Sequence, residues 1–245
     1  MCSLPDLSNF KYYRLSSMCE VLRVDKNAIF YVSQPGFSRN KGERAAEKKL
    51  AKSVFFPIGQ MGKIIDSTKK VGDKWSGKVF SYTFNPMTAT AEIESDKESV
   101  SVPAEEFNNC LKVKYTITPS NLDYISNRKA RLNLLNSGTK EMWYAPGVGL
   151  VRLKIHQGDG LETDIHLDSY TIAELSKDYL PLSVGNKWSY KVLNIEDEYV
   201  QNDILELLSK DNDKVFIAHQ ELAYYNGSNE EYEKLVASEN KNKSA

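Results

Sequence analysis

Polar and apolar residues alternate with a period of two along much of the chain. In 111–118, Leu111, Val113, Tyr115 and Ile117 fall on one side and Lys112, Lys114, Thr116 and Thr118 on the other. That is the pattern of a strand with one wet face. Segments 74–84, 88–94, 99–103, 110–118, 140–145, 148–156 and 163–171 carry β-branched or aromatic residues between turn signals and read as strands. Segment 129–135 carries neither and is a weaker candidate. Near the start, 10–15, 20–24 and 28–32 are short β segments, the last two joined as a hairpin across Val24-Asp25-Lys26-Asn27, and Pro35-Gly36 marks a turn. Gly158-Asp159-Gly160 closes another hairpin. One stretch breaks the pattern: 42–54 is rich in Ala, Glu and Lys, with Ala46, Leu50 and Val54 on one stripe. It predicts one short helix, a connector or a lid on a sheet edge. Short polar turns and no βα alternation predict a mainly β fold, an antiparallel meander closed or half-closed into a barrel or sandwich.

The chain also resembles itself. Val71-Gly72-Asp73-Lys74-Trp75-Ser76-Gly77-Lys78-Val79 recurs as Val184-Gly185-Asn186-Lys187-Trp188-Ser189-Tyr190-Lys191-Val192, with seven of nine positions identical. Val-Gly-Asx is turn chemistry, and the Trp that follows is an early inward anchor. Ser95, a charged turn and Val100-Ser101-Val102-Pro103 are echoed by Ser209, a charged turn and Val215-Phe216-Ile217-Ala218. The expectation is a partial internal repeat, its second copy stopping early. The predicted organisation is 1–53 as N-terminal β segments with the connector helix, 54–178 as the main β domain, 179–225 as the partial second copy and 226–245 as a polar flexible tail. Strands of an incomplete copy extend the first sheet, pair with residues 1–40, or recruit another chain through an exposed edge.

Composition narrows the options. Of 245 residues, 41% are hydrophobic, with 14 Tyr, 9 Phe and 3 Trp; that excludes a mainly disordered chain. Lys+Arg 32 against Asp+Glu 33 leaves a net charge of −1, without the positive excess of a nucleic-acid binder. No apolar run approaches the ~20 residues of a membrane-spanning helix. Cys2, Cys19 and Cys110 are too few for a disulfide scaffold. Met-Cys-Ser-Leu-Pro fits the mature start of a bacterial lipoprotein with an added initiator Met, or equally an internal start or a truncated product.

The segment Met142-Trp143-Tyr144-Ala145-Pro146-Gly147-Val148-Gly149-Leu150-Val151-Arg152 is distinctive. Ala145-Pro146-Gly147-Val148 predicts a type II turn, which makes 140–145 and 148–156 adjacent antiparallel strands. Gly149 admits a close ring or backbone, or a bulge. Trp143 and Tyr144 point to opposite faces, one into the core and the other outward as the best single contact candidate. With Val102-Pro103-Ala104-Glu105-Glu106-Phe107-Asn108-Asn109-Cys110-Leu111-Lys112-Val113 upstream and Tyr179-Leu180-Pro181-Leu182-Ser183-Val184-Gly185-Asn186-Lys187-Trp188-Ser189-Tyr190 downstream, the chain resembles uncharacterised bacterial β-proteins of the TapB-like kind over residues 54–192. It departs from them at Glu105-Glu106, where they carry Gly, and no signal peptide precedes Cys2 here. The resemblance implies a curved antiparallel sheet and a cell-envelope or secreted protein, and implies no activity.

Candidate chemistry is sparse. His156 and His166 flank the Gly158 hairpin and, with Asp159, Asp164 or Asp168, imitate a metal site at a spacing that matches no ligand motif; His219 has no second ligand beside it. There is no nucleophile elbow, Walker loop or dinucleotide fingerprint, so neither a cofactor nor a catalytic residue is expected. Trp75, Trp143, Tyr144, Pro146, Gly147, Gly149 and Trp188 stand as interaction or structural anchors, and Leu111, Val113 and Tyr115 as a possible apolar pocket. The expected function is a non-enzymatic binding or assembly module with a protein partner or apolar ligand. The alternatives are a carrier of lipid or another small hydrophobic ligand, a homo-oligomer through a strand edge, and a metal-dependent hydrolase.

Overall fold

The computed structural model describes residues 12–25, 28–33, 63–66, 68–78, 87–119, 137–158, 160, 162–194 and 200–224. Among these residues twelve strands form one antiparallel sheet: β1 (Tyr12–Asp25), β2 (Ala28–Ser33), β3 (Lys63–Asp66), β4 (Lys74–Lys78), β5 (Met87–Ser101), β6 (Glu106–Pro119), β7 (Gly138–Ala145), β8 (Gly149–Gln157), β9 (Glu162–Thr171), β10 (Lys187–Asn194), β11 (Val200–Asp211) and β12 (Lys214–Tyr224). Their order is β3-β2-β1-β12-β11-β10-β9-β8-β7-β6-β5-β4. From β4 to β12 each strand pairs with its successor. The chain start then returns, because β1 pairs with β12 from Tyr12↔Tyr224 to Arg23↔Lys214. The sheet is therefore continuous across the expected domain boundaries, and no helix occurs among the described residues. The helix expected over 42–54, the segment 129–135 and the tail 226–245 lie outside them.

The wet-and-dry alternation is realised. Val113 and Tyr115 are fully buried and Leu111 and Ile117 nearly so, while Thr116 and Thr118 are exposed. Two expected breaks are absent. The described part of segment 10–15, from Tyr12, and segment 20–24 merge into β1, and 88–94 merges with 99–101 into β5. In β5 the charged stretch Ser95–Glu98, which reads as a turn, is instead absorbed by register shifts between Ile93 and Val100, irregularities that leave the strand running on.

One face of the sheet is dry. Ala91, Val113, Met142, Leu153, Ile165, Trp188, Leu205 and Ile217 all belong to the core. A single layer buries such a face only by curling. Tyr115 on β6 donates its hydroxyl to the Ile64 carbonyl on β3 at 3.0 Å. These strands are nine places apart in the sheet order, roughly 43 Å in a flat sheet at ~4.8 Å per strand. The sheet bends until its first strand meets its tenth.

The two Trp-led strand entries share local geometry. Gly72 and Gly185 have φ of 89° and 91°. Gly72 N–H donates to Ile93 O at 2.8 Å and Gly185 N–H to Leu207 O at 2.9 Å, and the return bonds run Ile93 N–H to Asp73 O at 3.1 Å and Leu207 N–H to Asn186 O at 2.9 Å. Trp75 then pairs with Ala91, and Trp188 with Leu205. The second pair of similar stretches does not correspond in this way. Ser95 to Val100 stays within β5, whereas Ser209 to Val215 contains the β11–β12 turn, made by Asn212 at φ 53°.

Candidate functional site

The distinctive turn forms as its residues dictate. Gly147 has φ 76° and Val148 N–H bonds Ala145 O at 3.2 Å, matching the positive φ a type II turn needs at its third residue. The segment between β9 and β10 straps this turn down. Gly147 N–H donates to Asp178 O at 2.8 Å, and a Cβ at Gly147 would lie 2.5 Å from Ser176 O. A Cβ on Gly149 would stand 3.4 Å from Trp188 Nε1, the close ring approach its lack of a side chain permits. Trp188 donates its indole N–H to Val148 O at 2.6 Å, and Tyr190 its hydroxyl to Leu150 O at 3.0 Å. Asn186, fully buried, accepts from Ala173 N–H at 2.8 Å and donates to Pro181 O at 3.1 Å. Pro146, Gly147, Gly149 and Trp188 are thus brought together as an internally satisfied corner. Trp75 lies six places away in the sheet order.

Trp143 and Tyr144 do occupy opposite faces. Tyr144 is core at 1% exposure, but the outward Trp143 is only 8% exposed. Lys112 Nζ lies 5.2 Å and Arg152 Cζ 5.4 Å from its ring centroid, one on each neighbouring strand. The outward ring is covered by cation–π partners, contrary to the exposed contact residue expected.

Around it runs an ordered charge pattern. In register across β4 to β9 stand Lys74, Glu92, Lys114, Glu141, Lys154 and Asp164, signs alternating at every strand. Lys112 bridges Glu94 at 2.9 Å and Glu141 at 3.0 Å. Arg152 grips Asp164 through Nε at 3.0 Å and Nη2 at 2.6 Å, a bidentate fork. His166 Nε2 stands 2.9 Å from Asp164 Oδ1, within ion-pair range but off the direction of a hydrogen bond. Burial alone would push the Asp164 carboxyl up; His166 and Arg152 outweigh it and hold the group at about 2. His156 meets Glu162 at 2.8 Å. Because His156 faces Glu162 and His166 faces Arg152, the histidines sit roughly 13 Å apart along the strands at ~3.3 Å per residue. Among the described residues no group of three or more His, Cys, Asp or Glu is placed to hold a metal.

The inner face holds the pocket candidates. Leu111, Val113 and Tyr115 are core residues, and Trp75 meets Tyr115 edge-on at 6.3 Å. Burial raises the Tyr115 phenol well above its ordinary value, and the Tyr144 phenol also upward. Beside them lies Lys140, 2% exposed and in register with Tyr115 and Ile155. Burial pushes its amine down to about 7. Lys140 was legible only by parity: it shares the side of β7 that carries Met142 and Tyr144. Gln157 and Thr163 are further buried polar residues of this face. Cys110, a free thiol, is pushed up to about 11 by burial, so thiolate chemistry is disfavoured there.

No protein-family model, curated protein or solved structure matches this chain.

Proposed function

We propose that the chain is a non-enzymatic binding module of the bacterial cell envelope that holds a lipid or similar small hydrophobic ligand against the inner face of its curled sheet. The observation that supports this reading is the dry face itself, continuous from β5 to β12 on a sheet that covers it by bending onto its own first strand. Curled antiparallel sheets of this kind suit apolar cargo because inward positions are apolar by strand parity. On the outer face Lys112, Arg152 and Lys191 are paired with carboxylates of the sheet itself. No helix among the described residues is long and apolar enough to cross a membrane. The envelope location rests on the likeness to TapB-like proteins.

Assembly through a strand edge is the weaker version. The edge strands β3 and β4 have four and five residues, and Lys74 and Lys78 bracket β4. Short, lysine-bearing edges resist pairing with a second chain. The shared glycine conformations and backbone bonds at Gly72 and Gly185 support reading the two Trp-led entries as a partial internal duplication.

Mass spectrometry of an organic extract of the purified protein, together with light scattering over a concentration series, tests the reading. A co-purifying lipid and a constant monomer mass are expected. No extractable apolar compound together with a concentration-dependent dimer would replace the carrier reading with edge assembly.

A further inference from the structure

We propose that residues 95–109, the tip of the β5–β6 hairpin, form a hinged flap whose apolar side fills the ligand site at the strap end of the inner face and lifts off β9 before a ligand binds. This rests on the apolar-ligand reading above and adds its regulation. From Met87 to Ile93, β5 pairs in steady register with Pro119 to Val113 of β6. Beyond Ile93 the ladder breaks. Register shifts fall between Ile93 and Ser95, Ser95 and Glu98, and Glu98 and Val100, and opposite them Asn109 has φ 58°. Extra residues and a left-handed Asn bend a hairpin. Past the bend the tip is held by its own bonds. Val100 pairs with Phe107 and Ser101 with Glu106, Ser99 donates its hydroxyl to Asn108 Oδ1 at 2.7 Å, and Val102 N–H bonds Glu105 O at 3.1 Å.

The bend carries the tip far from its own strands. Ala104 N–H donates to Leu167 O at 3.1 Å. Leu167 is on β9, three places from β6 in the sheet order, roughly 14 Å in a flat sheet at ~4.8 Å per strand. The β11–β12 tip, by contrast, bonds Val24 on the adjacent β1. Tyr170 of β9 donates its hydroxyl to the Glu105 carboxylate, and Phe107 packs on the Tyr170 ring with centroids 5.9 Å apart. Glu105 pushes the Tyr170 phenol up to about 12, so it remains a donor at neutral pH. The flap has one dry side: Val100, Val102 and Phe107 are buried, while Ser101, Pro103 and Glu106 are exposed. Lifting it breaks the contacts with β9 and parts no strand of the sheet. The room a ligand needs is the room that Val100, Val102 and Phe107 vacate, so the closed flap competes with the ligand.

Hydrogen exchange of the full chain and titration with the apolar dye N-phenyl-1-naphthylamine read the flap independently. Tyr170→Phe keeps the ring on Phe107 and deletes the bond to Glu105; losing a hydrogen bond to a charged group is expected to favour the lifted flap about tenfold. The Ala104 amide should then exchange about tenfold faster. The Val102 amide, bonded inside the flap, and the amides of β7 should stay within about twofold. The dye should bind about tenfold more tightly, because apparent affinity follows the fraction of open molecules. Glu105→Ala removes the same bond from the other side and should give the same result if Tyr170→Phe does not fold. Ala104 and Val102 quickening together would show that the tip melts in place. Unchanged dye affinity beside a quickened Ala104 would show that the ligand does not use the space under the tip. Either result overturns the flap and leaves the apolar-ligand reading standing, whereas a dye that binds neither wild type nor variants overturns both.

Discussion

Two glycines with nearly the same backbone show what a single residue contributes. Gly147 and Gly72 both have positive φ, 76° and 89°. A Cβ at Gly72 meets nothing within 4 Å, whereas one at Gly147 lands 2.5 Å from Ser176 O. Gly72→Ala should therefore cost only the left-handed conformation, about 1–2 kcal/mol. Gly147→Ala adds a backbone collision that loosens the strap over the turn, and should cost about 1–2 kcal/mol more than Gly72→Ala. Urea midpoints of the two variants check the order; equal losses would mean that the strap bears no strain. Lys140 gives a second test. Its buried amine titrates near 7 against an ordinary 10.5, so between those values the unfolded chain binds more protons than the folded one. Stability therefore gains from this group as pH rises through that window, and its full penalty is present below about 7. Cys110 works in the opposite direction between its ordinary 9.0 and about 11, so the quantity to read is wild type minus Lys140→Met. That difference should rise by several degrees of Tm between pH 7 and 10; a flat difference would place the amine in water.

The element scale is where the chain was most and least legible. β6 to β9 were readable because apolar residues alternate along runs such as Leu111–Ile117, Val151–Ile155 and Ile165–Leu167, bounded by turn residues. The breaks in β1 and β5 were misread because Ser16-Ser17 and Ser95–Glu98 carry turn chemistry that pairing and register shifts override. Similar composition at 209–214 does turn, with Asn212 supplying the positive φ. Long-range placement was not legible at all: neither the Lys112–Trp143–Arg152 stack nor the pairing of β1 with β12 leaves a local mark. Nor was the alternating row Lys74, Glu92, Lys114, Glu141, Lys154, Asp164 visible, since it exists only once six strands are in register. The row opposes a one-residue slip, which turns a strand over and carries its charges to the dry face. Glu141→Lys places a cation among Lys112, Lys114 and Lys154 and should cost about 1–2 kcal/mol. Glu141→Gln should cost less. Raising salt towards 1 M should recover part of the Glu141→Lys loss; a loss indifferent to salt would assign it to packing.

The whole molecule depends on how a single sheet closes over itself. The described connections 102–105, 146–148 and 212–213 are tight, and with the strap 172–186 they lie at one end of the sheet, where Val24 N–H also bonds Asp213 O at 2.7 Å. That end ties neighbouring strands to one another. It does not tie β3 to the far side of the curl, which falls to contacts such as the Tyr115 hydroxyl on Ile64 O. Tyr115→Phe keeps the ring against Trp75 but strands the Ile64 carbonyl in a dry interior, a loss of about 1–3 kcal/mol. If the curl were a uniform property of the sheet, that loss would spread over all twelve strands. If closure is a separate event, it would fall on the strands that close. Among the described residues β3 pairs only with β2, through three of its four residues, whereas β7 and β8 are each flanked by paired strands on both sides. Hydrogen exchange in Tyr115→Phe should therefore quicken in β2 and β3 by tenfold or more and leave β7 to β9 within about twofold. Uniform acceleration across the sheet would show that curl and strand pairing form one cooperative unit, and that the inner face cannot open to a ligand without unfolding.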